Sequence, residues 1–172
     1  TLGLHTAVLL WLNDSGTHFR ISELATESDD IEGAPIAAGD GVLGAVVARR
    51  DRLNLMNLRP SYKVPYYAGP CPIRALAAIP VTEGDTLRGV LVIDRTANEA
   101  FTPHEEDLAA QAARYCLRAI QNERVFVQLE RAKVEQGKLY RAAQALQAAF
   151  SEKDVLEAGV KAAREIASFD LA

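Results

Sequence analysis

The chain has 172 residues, of which 49% are apolar and 24% are charged, and its formal net charge is −4. This composition is ordinary for a folded domain, and the acidic balance gives no general attraction to nucleic acid or to an anionic membrane. No apolar run approaches the roughly 20 residues that cross a bilayer. We therefore expect neither nucleic acid nor a membrane as a partner.

The first elements along the chain are two strands. Residues 6–12 are apolar almost throughout, which is typical of a central strand covered on both faces. Residues 13–16 form a turn, and residues 18–25 partly alternate between apolar and polar side chains. The sequence thus predicts an antiparallel hairpin over residues 6–25.

A glycine-rich segment, GDGVLG, occupies residues 39–44 and precedes an apolar run that predicts a short helix over residues 41–50. The segment matches the GxGxxG pattern of dinucleotide-binding turns. That site would also need a preceding strand and an acidic residue about 20 positions further on. Residues 53–59 contain no acid, so a turn followed by a helix is the favoured interpretation.

The middle of the chain predicts three more strands around an irregular loop. A strand over residues 53–58 is followed by residues 59–73, which hold four prolines and three tyrosines and cannot form regular structure. Residues 75–81 and 87–94 then flank an EGD turn, which indicates a second antiparallel hairpin.

A long helix begins at a clear signal. Thr102 is a suitable N-cap, Pro103 fits the first helical position, and Glu105 completes a capping box. Helical propensity continues to about residue 149, which would give a rod of roughly 70 Å.

The long helix also carries a candidate dimer interface. Ile120, Val127 and Val134 are spaced by seven residues, and we predict that they form the interface of a homodimer. Arg124 and Arg131 occupy the accompanying positions, so this heptad seam is incomplete.

A second helix is predicted after residue 150. Ser151 can cap it, Asp154 sits at the third helical position, and Phe150 can pack onto Val155 as a hydrophobic staple.

The order of these features resembles the GAF family of sensory domains over residues 4–122. The matching pieces are GDGVLGAVVARRDRLNLMNL, IRALAAIPVTEGDTLRGVLVIDR and FTPHEEDLAAQAARYCLRAIQN. The resemblance implies an α/β (α+β) fold, in which an antiparallel sheet carries helices on one face and a loop-roofed pocket on the other. A long C-terminal signalling helix would follow.

The resemblance also implies a domain organisation. Residues 1–122 would be a GAF sensory domain that lacks its usual first helix, and residues 123–150 a helical linker. Residues 151–172 would begin a second GAF-like module, as in a fragment of a tandem-GAF protein. Whether this last segment replaces the missing first helix is left open by the sequence.

The function implied by the resemblance is small-molecule sensing or regulation in a cytoplasmic signalling protein. The domain would transmit ligand or dimer state through the long helix to an output domain in the same chain, such as a histidine kinase, diguanylate cyclase or transcription activator. A ligand-free dimerisation module is the alternative. A GAF-type redox enzyme using Cys71 is the third possibility, although the expectation is that this chain does no chemistry of its own.

The predicted ligand-binding residues come from the irregular loop and the strand after it. Aromatic side chains and one cation around a concave sheet suit a small planar or anionic ligand, and the five candidates are Tyr62, Tyr66, Tyr67, Cys71 and Arg74. The alternative role for the tyrosines is to anchor the loop by packing.

A residue pattern of some cyclic-nucleotide-binding GAF domains is present here in altered form. Where those domains carry an Asn-Lys pair, this chain has Asp94 and Arg95, followed by Phe101 and then Glu105 and Glu106. We predict instead an ion pair from Arg95 to one of the two glutamates.

Cofactors are not indicated by the sequence. The three histidines, His5, His18 and His104, have no metal-ligand spacing, so no metal site is expected. Bilin-binding GAF domains typically carry Cys followed by His. Neither Cys71 nor Cys116 is followed by histidine, so no covalent chromophore is expected. Two isolated cysteines also indicate reduced thiols and a cytoplasmic location.

Overall fold

The computed structural model describes residues 3–70, 72–147 and 151–167. Six strands and three helices follow one another in the described chain. They are β1 (Thr6–Leu12), β2 (His18–Thr26), β3 (Ile36–Ala37), α1 (Gly41–Arg49), β4 (Leu53–Met56), β5 (Ala75–Glu83), β6 (Thr86–Arg95), α2 (Pro103–Gln147) and α3 (Glu152–Ala167).

The strands form one antiparallel sheet in the order β3-β2-β1-β6-β5-β4. Both predicted hairpins are confirmed, since β1 pairs with β2 and β5 pairs with β6. The central pairing is between β1 and β6, where Val8 lies opposite Val92. The two-residue strand β3 at the edge was not predicted from the sequence, because two residues show no periodicity.

One face of the sheet is covered by α1 and the irregular loop. Its buried cluster includes Val8 and Leu10 from β1 and Val90 and Val92 from β6. Side chains from α1, from the residue before the loop and from the loop itself pack against them, namely Val42, Leu43, Val46, Leu58, Val64, Tyr66 and Tyr67. Alternation along each strand therefore sends every second residue towards α1 and the loop.

The first part of α2 lies along the opposite face. Ala110, Ala113 and Leu117 are buried there and border a small cleft of 170 Å³ together with Ile79 and Val81 of β5. The small alanines allow the helix to approach the strands closely. The predicted antiparallel sheet with packed helices and a long C-terminal helix is thus confirmed. The helices do not share one face, because α1 lies with the loop and α2 lies on the opposite side.

Two compact units are present, residues 1–118 and residues 119–172. The first holds the sheet, α1 and the start of α2, and the second holds the rest of α2 together with α3. The boundaries predicted at residues 122 and 150 remain predictions about domain organisation. In the second unit Ser151 caps α3, since its Oγ accepts from the Asp154 amide at 3.1 Å, whereas Phe150 lies outside the described residues.

The start of α2 has the predicted capping box. The Thr102 amide donates to Glu105 Oε2 at 2.7 Å, and the Glu105 amide donates to Thr102 Oγ1 at 3.3 Å. These bonds satisfy amides that the helix itself leaves without acceptors. They also fix the point at which the chain turns from β6 into α2.

We expect Thr102→Ala to lower the free energy of unfolding by about 1 kcal/mol, the usual cost of losing an N-cap side chain. Urea denaturation followed by circular dichroism would measure the change. Thr96→Ala is the matched control, because Thr96 is exposed and lies before the helix. Equal losses in the two variants would contradict a capping role for Thr102.

Candidate functional site

A buried carboxylate organises the loop-covered face of the sheet. Asp94 lies near the end of β6 on the same face as Val90 and Val92, and it is fully buried. The Tyr66 hydroxyl donates to Asp94 Oδ2 at 2.8 Å, and the Tyr67 hydroxyl donates to the same oxygen at 3.1 Å. The strand and the loop are therefore joined through one carboxylate oxygen.

The hydrogen-bond network continues from Tyr67 towards β1 and β2. The Tyr67 hydroxyl lies 2.6 Å from Thr6 Oγ1, which in turn lies 2.7 Å from Thr26 Oγ1. The rings of Tyr66 and Tyr67 are 4.9 Å apart between centroids, in a tilted arrangement. Side chains from β1, β2, β6 and the loop thus share one polar cluster inside an apolar core.

Within the part of the chain that the structure describes, Asp94 Oδ1 is buried without a hydrogen-bond partner. His5 Nε2 is buried and unpartnered in the same sense. Burial raises the pKa of Asp94 above its ordinary value, and the tyrosine hydrogen bonds and the nearby His5 imidazole oppose this shift only in part. Asp94 Oδ1 can therefore carry a proton or accept a hydrogen bond from a further donor.

The raised pKa of Asp94 predicts a specific pH dependence. A carboxyl that holds its proton more tightly in the folded state stabilises the fold fully below its unfolded pKa of about 3.9. That contribution is lost as the pH rises through the raised folded pKa. We expect the stability of the wild type relative to Asp94→Asn to fall as the pH increases above about 4.

Urea denaturation of both proteins at several pH values would measure this difference. Because other carboxyl groups are common to the two proteins, their titrations cancel in the comparison. A wild type that gains stability over Asp94→Asn with rising pH would contradict the direction of the pKa shift.

The predicted ligand-binding residues are only partly brought together. Tyr66 and Tyr67 are buried and meet at Asp94, while Tyr62 is half-buried and packs against the same core cluster. Burial raises the pKa of Tyr62. Arg74 is half-buried just before β5, where its amide donates to the Arg95 carbonyl at 2.9 Å. Cys71 lies outside the described residues.

Asp94 as the acceptor for two tyrosines was missed by the sequence reasoning. The signal that could have revealed it is an acidic residue in the otherwise apolar strand segment VLVID, on the face shared with Val90 and Val92. A carboxylate on a covered face needs hydrogen-bond donors, and tyrosines in a neighbouring loop can supply them.

The next residue, Arg95, points to the opposite face and holds the start of α2. Its Nη2 donates to Glu105 Oε1 at 2.6 Å, and its guanidinium carbon lies 3.9 Å from the centroid of the Phe101 ring. Both charged side chains are largely shielded, at 9% and 17% exposed. The predicted ion pair is confirmed, with Glu105 as the partner.

Glu105 is held ionised by its surroundings. The Thr102 amide, the main cause, and the Arg95 side chain lower the pKa of Glu105, against a smaller opposing effect of desolvation. Asp94 and Arg95 thus fasten the loop and the start of α2 to the same end of β6, on its two faces.

The three residues predicted to form the dimer interface all lie on α2, and their role in dimerisation stays a prediction. Ile120 is half-buried, and Val127 and Val134 are 42% and 53% exposed.

Among the described residues no group of three potential ligands from His, Cys, Asp and Glu could hold a metal ion. None of the described helices is long and apolar enough to cross a membrane.

Several solved structures share this fold. A GAF domain of a phosphoenolpyruvate-protein phosphotransferase from Coxiella burnetii is 21% identical, with 73% of this chain and 76% of that chain aligned at a TM-score of 0.60. The GAF domain of a two-component sensor histidine kinase from Bacillus halodurans is 13% identical, with 72% and 85% aligned at a TM-score of 0.57.

An enzyme also shares the fold. The type II free methionine-R-sulfoxide reductase from Thermoplasma acidophilum is 18% identical, with 64% of this chain and 74% of that chain aligned at a TM-score of 0.54. At these identities the likeness concerns the fold alone. No curated protein matches the chain.

The family assignment comes from the sequence match. The family model described as the GAF domain matches residues 1–120, which include the whole sheet, α1, the Asp94 cluster and the first part of α2. This chain therefore belongs to the GAF domain family.

Proposed function

We propose that this chain is a small-molecule-sensing or regulatory domain of a cytoplasmic signalling protein, with α2 as the element that leads to an output domain. The observation that carries the proposal is the pair of adjacent residues at the end of β6. Asp94 binds the tyrosines of the loop, and Arg95 binds Glu105 in the first turn of α2. A change in the loop therefore has a short path to the start of the helix, through the tyrosine hydrogen bonds, the Asp94–Arg95 peptide link and the ion pair to Glu105.

A ligand in this proposal binds beside the loop, near Tyr62 and Arg74. Both side chains are half-buried, so they can contact a ligand without leaving the fold. A small planar or anionic ligand would stack on the tyrosine and pair with the guanidinium. It would shift α2 only to the extent that it binds one arrangement of the loop more tightly than another.

Two observations support a regulatory role over catalysis. The family relatives with this fold include GAF domains of a sensor histidine kinase and of a phosphotransferase. The tyrosine hydroxyls in the core are bound to Asp94, as expected of a structural cluster. A reductase like the Thermoplasma enzyme is the third possibility, after a ligand-free dimerisation module, and it would depend on Cys71.

Native mass spectrometry of the whole chain, purified without refolding, tests the proposal. We expect extra mass from a retained small molecule, and we expect Arg74→Gln to lose that mass while its far-ultraviolet circular dichroism stays unchanged. Arg59→Gln is the matched control, because Arg59 is an exposed arginine of the same loop. Retained mass that is unaffected by Arg74→Gln would place the ligand elsewhere.

A chain that carries no extra mass, and whose melting temperature does not respond to small planar anions, would favour the ligand-free dimerisation module. Reduction of free methionine sulfoxide that is lost on Cys71→Ser would favour the enzyme instead.

A further inference from the structure

A cleft opens on the α2 face of the sheet, on the opposite side from the loop. It has a volume of 170 Å³ and lies between β5 and residues 110–117 of α2. The short strand β4 pairs only with residues 75–78 of β5, so residues 79–83 have no outer neighbour among the described strands. Pro80, which has no amide hydrogen to donate, lies in this uncovered part of β5, where proline is tolerated. The cleft therefore exists because β4 is shorter than β5.

The cleft is apolar inside and cationic at its edge. Ile79, Val81 and Leu117 are buried and line it. Arg52 and Arg114 line it as well, and both are exposed. Apolar side chains beside guanidinium groups favour a ligand that has one apolar part and one anionic part.

The two arginines differ in how far their charge is already compensated. Arg52 Nη1 donates to Asp107 Oδ1 at 2.7 Å, so an acidic side chain offsets most of the charge of Arg52. Arg114 forms neither a hydrogen bond nor an ion pair within the part of the chain that the structure describes. The cleft thus presents an uncompensated positive charge, in a chain whose net charge is −4.

We propose that this cleft binds a small organic carboxylate whose apolar part is a compact group of about six carbon atoms. The carboxylate accepts from Arg114, with Arg52 as a second donor, and the apolar group lies against Ile79 and Leu117. The size fits, because an apolar cavity of about 150 Å³ holds one benzene molecule and this cleft measures 170 Å³.

Such a ligand contacts a strand and a helix at once. It binds only where residues 110–117 of α2 lie against β5, so it stabilises the packing of α2 on the sheet. The inference does not rest on the proposed sensing function. The site beside Tyr62 and Arg74 belongs to the loop, whereas this cleft belongs to α2.

A titration of the whole chain with sodium benzoate, followed by two-dimensional NMR of the backbone amides, tests the proposal. We expect saturable shifts at Ile79, Val81 and residues 110–117, with benzoate up to about 50 mM because a ligand this small binds weakly. Sodium chloride keeps the ionic strength constant. Benzamide keeps the ring without the charge, and acetate keeps the charge without the ring, so each should shift these amides much less. Shifts from either compound that equal those from benzoate would overturn the proposal.

Three exposed residues give variants with effects of different sign. Arg114→Gln should weaken benzoate binding about 10-fold, because it removes the uncompensated cation. Arg118→Gln is the matched control, since Arg118 is an exposed arginine one turn further along α2 that does not line the cleft. It should change the affinity by less than about 2-fold. Asp107→Asn should strengthen binding about 3-fold, because it frees Arg52 from its ion pair.

The contrary outcomes are distinct. Equal weakening by Arg114→Gln and Arg118→Gln would show a general attraction of anions to the helix and would overturn the site. Weaker binding to Asp107→Asn would overturn the role of Arg52. Shifts confined to the surroundings of Tyr62 and Arg74 would support the proposed sensing site and overturn this one. The absence of any saturable shift would also overturn the cleft, while the sensing site keeps its separate test by native mass spectrometry.

Discussion

Gly44→Ala is expected to destabilise the domain by about 3 kcal/mol or more. A Cβ atom at this position would lie less than 3.0 Å from the carbonyl oxygen and carbon of Gly39. Both are backbone atoms, so the clash cannot be relieved by a side-chain rotation. The first turn of α1 would have to move away from the preceding segment.

Movement of α1 is costly because of what the helix buries. Val42, Leu43 and Val46 are buried in the core cluster, and the Gly44 amide donates to the Asp40 carbonyl at 2.9 Å. Shifting the helix would loosen these contacts and leave poorly packed volume behind them. Urea denaturation followed by circular dichroism would measure the loss.

The same motif supplies two graded controls. Gly39→Ala should change stability by less than about 0.5 kcal/mol, because a Cβ there has no atom within 4 Å. Gly41 has φ of +50°, so Gly41→Ala should cost about 1 to 2 kcal/mol from backbone strain. If all three substitutions had the same effect, close packing at Gly44 would not be the reason for its glycine.

The glycine motif also shows what the sequence could and could not reveal. Its spacing predicted a turn followed by a helix, and α1 begins at Gly41 as expected. The pattern could not show that Gly44 lies against the Gly39 backbone, because GxGxxG spacing is shared with unrelated turns. Local sequence signals predict the turn and the helix. The reason for glycine at position 44 lies in a contact that exists only in the folded chain.

Local signals predicted most of the fold. The two hairpins follow from strand patterns and turns, and the capping box at Thr102 fixed the start of α2. The path of the loop over residues 59–73 is harder to predict, since proline and glycine exclude regular structure but do not indicate where the chain runs. Its tyrosines are predicted to line a ligand site, and the sequence does not show that two of them donate to a strand residue almost 30 positions away.

The path of that loop is fixed by long-range pairing. Tyr67 forms an isolated antiparallel bridge with Ile31, and the Leu58 amide donates to the Arg74 carbonyl at 3.0 Å. Neither contact has a periodic signature in the sequence. Tyr66 and Tyr67 reach Asp94 because these contacts hold both ends of the loop in place.

Asp94→Ala is expected to lower the free energy of unfolding by roughly 2 to 4 kcal/mol. The substitution removes the acceptor for the Tyr66 and Tyr67 hydroxyls, which are buried and cannot turn to water. A buried donor without an acceptor costs about 1 to 3 kcal/mol, and Tyr67 can recover part of that through Thr6. The variant also leaves a small cavity beside the rings.

A second substitution distinguishes the loss of one tyrosine hydrogen bond from the loss of the whole carboxylate. Tyr67→Phe keeps the ring and removes one donor, so it should cost about 1 kcal/mol and leave the Tyr66 bond in place. Asp85→Ala is the matched control for loss of an aspartate, because Asp85 is exposed in the hairpin turn and its carbonyl, not its side chain, accepts from Arg50. It should change stability by less than about 0.5 kcal/mol.

These variants decide whether the polar cluster holds the loop on the sheet. If the cluster acts as described, Asp94→Ala should also increase proteolysis within residues 59–73 under native conditions, because the loop loses its attachment to β6. Equal stability of Asp94→Ala and Asp85→Ala would show that the tyrosines find other acceptors. The adjacent link from Arg95 to Glu105 would then be the sole charged attachment at this end of β6 among the described contacts, and the proposed path from the loop to α2 would lose its first step.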